Sequence, residues 1–258
     1  MRIGVTGARG FIGSHLVSAL KKRGTVVTLL RQKGLPGKRE LKQFVTGTDL
    51  FFHLGGVNRG TDEEILNGNI IGTSRLLESI LNNGKSSARL VFASSAQVYP
   101  LVNCKTPIRE TKKASPDTVY GVSKQVAENL IRISGIPFTV LRLSNVYGPG
   151  CRPNYNSVVA TFCHQITHNE QPRIEVDGTL KLIYVGELVS QILEIVEQFF
   201  SDQKNNVVIN EVLLQHTAEI KVSALLKLIQ GYKNNYFERG EIPDLSDPFH
   251  KNIWNTFL

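Results

Sequence analysis

Ile3-Gly-Val-Thr6-Gly7-Ala-Arg9-Gly10-Phe11-Ile12-Gly13 is the stretch on which the reading of the chain turns. A short β-type run passes straight into three glycines spaced three apart, and Ile12 to Lys22 follows with the 3.6-residue periodicity of an amphipathic helix. In such a strand–turn–helix the first glycine permits the tight turn, the second lets backbone approach an anion, and the third lets helix and strand pack closely. The helix N-terminus then presents unpaired N–H groups and a partial positive charge to a pyrophosphate. The glycine spacing alone is common in turns; its place on the first strand of an α/β pattern makes it a dinucleotide site. Gly7, Arg9, Gly10, Phe11, Ile12 and Gly13 are the expected phosphate-side contacts.

Downstream, apolar β-type runs alternate with helical patterns. Ile3 to Thr6, Thr25 to Leu30, Leu50 to Leu54, Leu90 to Ala93 and Pro137 to Leu143 read as strands, with helices such as Ile12 to Lys22 and Asn69 to Leu81 between them. This alternation predicts an α/β fold: a Rossmann-type doubly wound parallel sheet, with ligands bound beyond the carboxyl ends of the strands. About 18 residues separate the second strand from Asp49, too few for the usual additional strand and helix, so that part is expected to be abridged. Residues 1–150 are expected to form the cofactor-binding domain, and residues 151–258 mostly a small C-terminal substrate-binding lobe interleaved with it. Its expected helices are Ser157 to Thr167, Gly186 to Phe200 and Ile220 to Gln230, with short strands near Arg173 to Val176 and Val207 to Asn210.

The end of the second strand decides between two cofactors. A carboxylate there would bind ribose hydroxyls, whereas this chain reads Leu30-Arg31-Gln32-Lys33. A guanidinium fork pairs with a 2′-phosphate, so Arg31, helped by Arg9, points to NADP(H). Further along, Tyr120-Gly-Val-Ser-Lys124 sets a phenol and an ammonium four apart at the start of a helix expected over Val122 to Ile133, on one face. The cation favours tyrosinate and so lowers the tyrosine pKa toward working pH, as a proton donor for a carbonyl/alcohol pair requires. Upstream, Val91-Phe-Ala-Ser-Ser95 is a strand ending in hydroxyls that can hydrogen-bond the same carbonyl oxygen.

Taken together and in order, TGxxGxxG at Thr6, Ser95 and the YxxxK of Tyr120 and Lys124 resemble the extended short-chain dehydrogenase/reductase (NAD-dependent epimerase/dehydratase) family. The resemblance takes in Phe52-His-Leu54-Gly55-Gly56, Asn69-Ile-Ile-Gly-Thr73 and Leu141-Arg-Leu-Ser-Asn145-Val-Tyr-Gly-Pro149. It implies Tyr120 as acid/base, Lys124 as its electrostatic and ribose-positioning partner, and Ser95 as carbonyl orienter. Leu54, Gly55, Gly56 and Asn69 join the cofactor contacts; Gln97, Asn145, Arg152 and Asn154 are the substrate-side candidates.

More narrowly, Leu54-Gly-Gly-Val-Asn-Arg59 and Cys151-Arg-Pro-Asn-Tyr-Asn-Ser-Val-Val-Ala-Thr-Phe-Cys163 resemble the reductase half of CapF-type bifunctional capsular-polysaccharide enzymes. That implies NADPH reduction at C4 of a UDP-linked 4-keto-6-deoxy-hexosamine. Such enzymes also carry a cupin that epimerises C3; this chain ends at Leu258 before one, so C3 epimerisation is expected only if another chain supplies it. Dehydratases of the family place acids where this chain has Ala96 and Gln97, which argues against elimination of water. The RDFIYVDD segment common in the family reads Leu180-Lys-Leu-Ile-Tyr-Val-Gly-Glu187, without its arginine.

Two other readings stand beside the reductase: a nucleotide-sugar epimerase holding NAD, and a non-catalytic NADP-binding or sensing protein. Arg31 weighs against the first, and the intact Ser95, Tyr120 and Lys124 against the second.

Composition narrows the class. The formal charge of +8 is spread over short clusters, Lys21-Lys22-Arg23, Lys38-Arg39 and Lys112-Lys113, without interleaved aromatics, which predicts anionic small molecules rather than nucleic acid. Cys104, Cys151 and Cys163 lack metal or disulfide spacing, and the histidines are scattered, so no metal is expected and the thiols read as free and mostly buried. No apolar run is long enough for a membrane span or leader, which predicts a cytoplasmic protein without membrane insertion. Phe199, Phe200 and the aromatics of Trp254 to Leu258 read as packing or dimer-contact residues, and the family resemblance implies a homodimer.

Overall fold

Buried on both faces, a central parallel strand needs apolar residues at every position, and Leu50-Phe-Phe-His53 is buried throughout. The computed structural model describes residues 1–30, 35–100, 114–201 and 211–258. In the first of two units, Met1–Leu143 with Leu193–Leu214, the elements are β1 (Arg2–Thr6), α1 (Phe11–Lys22), β2 (Val26–Leu29), α2 (Lys38–Val45), β3 (Leu50–His53) and α3 (Asp62–Leu66). A π-helical stretch, Asn67–Ile71, leads into α4 (Gly72–Asn83), then β4 (Arg89–Ser95), α5 (Val119–Ile133) and β5 (Phe138–Leu143).

β8 (Glu211–Leu213) completes a six-stranded sheet in the order β2-β1-β3-β4-β5-β8, parallel throughout. The crossover from β1 to β2 runs opposite to those from β2 to β3, β3 to β4 and β4 to β5. Right-handed connection therefore puts α1 on one face and α2, α4 and α5 on the other. On the latter, Phe44, Leu76, Leu77 and Ile131 pack over Phe51, Leu90, Phe92 and Val140. The other face buries Val5, Phe52, Val91 and Leu141. This is the Rossmann-type α/β sheet expected from the sequence. Between β2 and β3 the described residues hold α2 and no strand, so β2 is an edge and its Val26 is 57% exposed.

The second unit, Ser144–Ile192 with Gln215–Leu258, holds β6 (Asn145–Tyr147), α6 (Val158–Thr167), β7 (Thr179–Tyr184), β9 (Ala218–Lys221), α8 (Val222–Tyr232) and α9 (Pro248–Phe257). The helix α7 (Val185–Ser201) gives residues to both units. β6 pairs parallel and β9 antiparallel with β7, and α6, α8 and α9 enclose a core around Phe162, Leu225, Ile229 and Trp254. Trp254 packs edge-on against Tyr232 at 5.3 Å, so it and Phe257 are core residues, while Leu258 is exposed.

One expectation is corrected. Arg173 to Val176 is not a strand; the strand begins at Thr179. The Asp177 carboxylate accepts from the N–H and hydroxyl of Ser223, and the Gly178 carbonyl accepts from Val222 N–H. The chain is thus fixed to the start of α8 and finds β9 as a partner only past that point. Val176, for all the alternation of its segment, is 77% exposed. Val207 to Asn210 and the side chains of Phe199 and Phe200 lie outside the described residues.

Candidate active site

Beyond β1 the chain turns at Gly7, whose φ of +67° is the left-handed region glycine tolerates. The Gly10 N–H donates to the Gly7 carbonyl at 2.9 Å, closing the turn. A β-carbon at Gly13 would lie 2.1 Å from that same carbonyl oxygen, so only glycine lets α1 start this close to the strand. The N-cap, Gly10, contributes no side-chain cap, and the first turn of α1 carries no acid. Phe11, Ile12 and Gly13 therefore begin a helix whose leading N–H groups have no intrahelical acceptor. A pyrophosphate fits this cradle: the leading N–H groups are unpaired within the helix, its first turn carries no carboxylate to repel an anion, and the cap residue is a glycine.

Behind the turn runs a directed chain of hydrogen bonds. Thr73 Oγ1 donates to the Asn69 carbonyl at 2.6 Å, which uses its only hydrogen, so it accepts from His53 Nε2 at 3.0 Å. Burial, aided by the charge of Lys124, pushes His53 down to about 3. The neutral ring must then accept at Nδ1, from Thr6 Oγ1 at 2.7 Å, and Thr6 in turn accepts from Gly55 N–H at 3.0 Å. The strand ends of β1 and β3 and the Leu54–Gly55 loop are thereby held in one register.

Asn69 serves this loop too. Its amide oxygen accepts from Val57 N–H at 2.9 Å, and its nitrogen donates to the Val57 carbonyl at 2.7 Å and to Ser123 Oγ at 2.9 Å. Only 2% exposed, the side chain positions the Gly55–Val57 segment against α5 rather than presenting a free group to a ligand.

Ser95 closes β4 and accepts from Gln97 N–H at 3.2 Å, which starts a single 3₁₀ turn over Ala96–Val98. Facing it, α5 is capped by Thr118, whose hydroxyl accepts from Gly121 N–H at 3.0 Å and lies 3.5 Å from the Gln97 side-chain oxygen. A β-carbon at Gly121 would stand 2.2 Å from the Gln97 carbonyl oxygen, a measure of how tightly the first turn of α5 abuts the turn after Ser95.

Tyr120 lies in that first helical turn, one turn before Lys124. Lys124 Nζ donates to the Ala93 carbonyl at 3.0 Å and sits 5.7 Å from the Tyr120 ring centre. Burial pushes the ammonium down to about 8, against the pull of Glu128. At pH 7 the lysine is still charged, and a buried cation this near a phenol ring favours the tyrosinate form.

Sequence reading missed what lies one turn further on. Glu128 is fully buried on α5, and its carboxylate accepts from Arg142 Nε (3.1 Å) and Nη2 (2.7 Å), from Ser94 Oγ (2.5 Å) and from Arg132 Nη2 (2.7 Å). Arg142 Nη1 donates to Tyr99 Oη at 2.6 Å and pairs with Glu211 at 3.0 Å. Burial opposes ionisation of Glu128, but the donors from Arg142 and Ser94 outweigh it and hold the carboxyl below its usual range. The available signal was a glutamate continuing the Tyr120–Lys124 face at the same spacing, and a lone arginine in the apolar strand Phe138-Thr-Val-Leu-Arg-Leu143.

The remaining candidates are placed as follows. Arg31 lies outside the described residues, as does Cys104; Cys151 and Cys163 are free thiols. Arg9 and Gly56 are exposed, and Phe11, Ile12, Leu54 and Gly55 are half-buried. In the second unit Asn145 is exposed at the start of β6, and the neighbouring Ser144 Oγ is buried with no hydrogen-bond partner among the described residues. Arg152 lies over the Tyr155 ring at 5.2 Å. Asn154 has φ +52° and donates its N–H to Thr161 Oγ1, so a local turn suffices to explain this asparagine. Among the described residues no cluster of three or more His, Cys, Asp or Glu could hold a metal, and no helix is long and apolar enough to cross a membrane.

A family model described as the NAD dependent epimerase/dehydratase family matches residues 3–210. The chain is 32% identical over 243 residues to the UDP-2-acetamido-2,6-beta-L-arabino-hexul-4-ose reductase of Pseudomonas aeruginosa, covering 91% of this chain and 58% of that protein. It thus spans little more than half of that relative's length. CapF from Staphylococcus aureus, described as a capsular polysaccharide assembling protein, superposes with a TM-score of 0.72 at 26% identity, over 100% of this chain and 64% of that one. The UDP-glucuronic acid 4-epimerase of Bacillus cereus, solved in complex with NAD, shares the fold at a TM-score of 0.81 and 19% identity, covering 100% and 95% of the two chains.

Proposed function

The chain belongs to the NAD dependent epimerase/dehydratase family, and on that premise we propose that it is a nucleotide-sugar oxidoreductase that reduces the 4-keto group of a UDP-linked 6-deoxy-hexosamine with NADPH. One arrangement carries the reading: buried Lys124 beside the Tyr120 ring, hydrogen-bonded to the strand that ends in Ser95.

Bound in the glycine cradle, the cofactor supplies hydride. The Tyr120 hydroxyl gives its proton to the carbonyl oxygen as that oxygen gains charge, the Lys124 ammonium stabilises the tyrosinate left behind, and the Ser95 hydroxyl donates a hydrogen bond to the same oxygen. Thr118 and Gly121 keep Tyr120 against the Ser95 turn while this happens. Gln97, Asn145, Arg152 and Asn154 are assigned to the substrate side, and the orphaned Ser144 hydroxyl beside Asn145 supports a polar ligand there. Ala96 and Gln97 offer no carboxylate for elimination of water. The choice of a 4-keto substrate follows the name of the Pseudomonas aeruginosa relative, and that of NADPH follows Arg31. A homodimer in the cytoplasm belongs to the same reading.

The test begins with fluorescence titration of NADPH and NADH into the purified protein, with Arg31→Asp as control. NADPH preference lost in Arg31→Asp, followed by turnover of a UDP-4-keto sugar that Tyr120→Phe lowers by about a hundredfold or more, is the expected result. Tightly held, copurifying NAD⁺ would replace the reductase with an epimerase. Binding of neither cofactor would overturn the enzymatic reading.

A further inference from the structure

Two of the groups that Glu128 and Arg142 hold, Ser94 and Tyr99, flank the turn that begins at Ser95, and Arg132 and Glu211 complete the cluster. Ser94, which donates to Glu128, precedes Ser95. Tyr99, which accepts from Arg142, closes the turn that follows Ser95, its N–H donating to the Ala96 carbonyl at 3.1 Å. Glu128 lies one helical turn beyond Lys124, itself one turn beyond Tyr120. Arg142 pairs in register with Ser94 across β4 and β5.

From these contacts, and resting on the catalytic reading above, we propose that Glu128 and Arg142 are positioning residues: their buried ion pair locks the Ser95 turn and the Tyr120–Lys124 helix into one register.

Stability alone is a poor account of the pair. Desolvating two charges offsets most of their attraction, and an apolar pair of similar volume fills such a site as well or better. Direction is what the charges add. Arg142 on β5 grips both carboxylate oxygens as a fork, Ser94 approaches from β4, and Arg132, on α5 itself, ties the helix to Glu211 of β8, so the rotation of α5 is fixed as well as its distance from the sheet. Proton transfer is sensitive to this, since a misplacement of about 1 Å costs on the order of a hundredfold in rate.

The pair also enters the charge balance around Lys124. The groups that face the pair and Lys124 are Tyr120 and Arg132 from α5, Ser94 from β4, His53 from β3, Arg142 from β5, Glu211 from β8 and Tyr99 from the turn. His53 is neutral, so Glu128 and Glu211 stand against Arg142, Arg132 and Lys124. Neutralising Glu128 alone enlarges the existing excess of cations and makes Lys124 easier to deprotonate.

The experiment compares Glu128→Gln/Arg142→Met, Glu128→Gln and Ser94→Ala/Tyr99→Phe with wild type, measuring kcat, KM, NADPH Kd, thermal midpoint and the pH profile. The charge-free double variant is expected to fold, to lose about tenfold or more in kcat, and to keep KM and Kd within about twofold. In Glu128→Gln the alkaline limb of kcat is expected to move about one pH unit toward acid, a change loosened packing does not produce. A folded double variant with wild-type kcat overturns the proposal. If the charge variants do not fold, Ser94→Ala/Tyr99→Phe decides: lower kcat at constant KM supports it, and unchanged kcat overturns it. Tyr120→Phe separates the two claims. A Tyr120→Phe enzyme as active as wild type overturns both, whereas an inactive one beside fully active clamp variants overturns the clamp alone.

Discussion

Replacing Lys124 by methionine should make the protein more stable near neutral pH and less stable at high pH, while abolishing turnover. Burial lowers the Lys124 pKa from 10.5 to about 8. At about 1.4 kcal/mol per pH unit, the charged lysine costs the folded state roughly 3 kcal/mol relative to an exposed one. That cost is complete below pH 8, where the lysine is protonated in both the folded and unfolded chain. Between about 8 and 10.5 the unfolded chain binds the extra proton, so wild-type stability rises with pH and the cost disappears. Methionine is of similar length and carries no charge, but it leaves the Ala93 carbonyl without its donor, a loss of about 1–2 kcal/mol. The difference in unfolding free energy should therefore favour Lys124→Met by roughly 1–2 kcal/mol at pH 6.5 and reverse sign by about pH 10. Urea unfolding of both proteins at half-unit steps from pH 6.5 to 10 measures it. A difference that stays flat across that range would mean Lys124 titrates like an exposed lysine, and the argument from burial would be wrong.

Gly13→Ala places a β-carbon where the Gly7 carbonyl oxygen stands, 2.1 Å away; calorimetry should show NADPH affinity reduced by about tenfold or more, with about 1–3 kcal/mol of stability lost to the clash. Thr73→Val removes the acceptor of His53 Nε2–H and should cost about 1–3 kcal/mol in urea unfolding. Because burial holds the His53 ring at about 3, its NMR signals should not titrate between about pH 5 and 8 in wild type. Cys163 is buried and its thiol is pushed up to about 12, so a thiol reagent at pH 7.5 should leave it unmodified in the native protein and label it in urea, as read by mass spectrometry of its peptide.

The parts of the fold that were legible are those written in short-range pattern. The turn at Gly7 to Gly13 follows from spacing and from the strand before it, and the shortened segment before Asp49 follows from length: α2 fits there and a further strand does not, among the described residues. The Arg173 to Val176 error has the complementary cause. Alternation reports which residues suit a strand, not whether a neighbour is present to bond, and the hold of Ser223 on Asp177 postpones pairing until Thr179. The family pattern that makes Asn69 a candidate cofactor contact says nothing of the bonds its amide makes to Val57 and to Ser123, the latter a pairing across 54 residues that no local reading reaches.

Helix α5 shows why the surroundings of the proposed catalytic residues are harder to read than those residues themselves. A helix shaped for burial alone turns its apolar side inward, but this one buries Ser123, Lys124 and Glu128 while Val122 is 40% and Ile133 80% exposed. Read one residue at a time, Glu128 is an ordinary solvated acid and Arg142 an oddity in an apolar strand. Only when β4 and β5 set Ser94 beside Arg142, and α5 lays Glu128 across them, does the carboxylate gain the donors that let it stay ionised inside the protein. The inward polar face is costly for folding and places a charged lysine beside a tyrosine at the sheet's carboxyl end, so its sense lies in the chemistry proposed for the site rather than in the stability of the core.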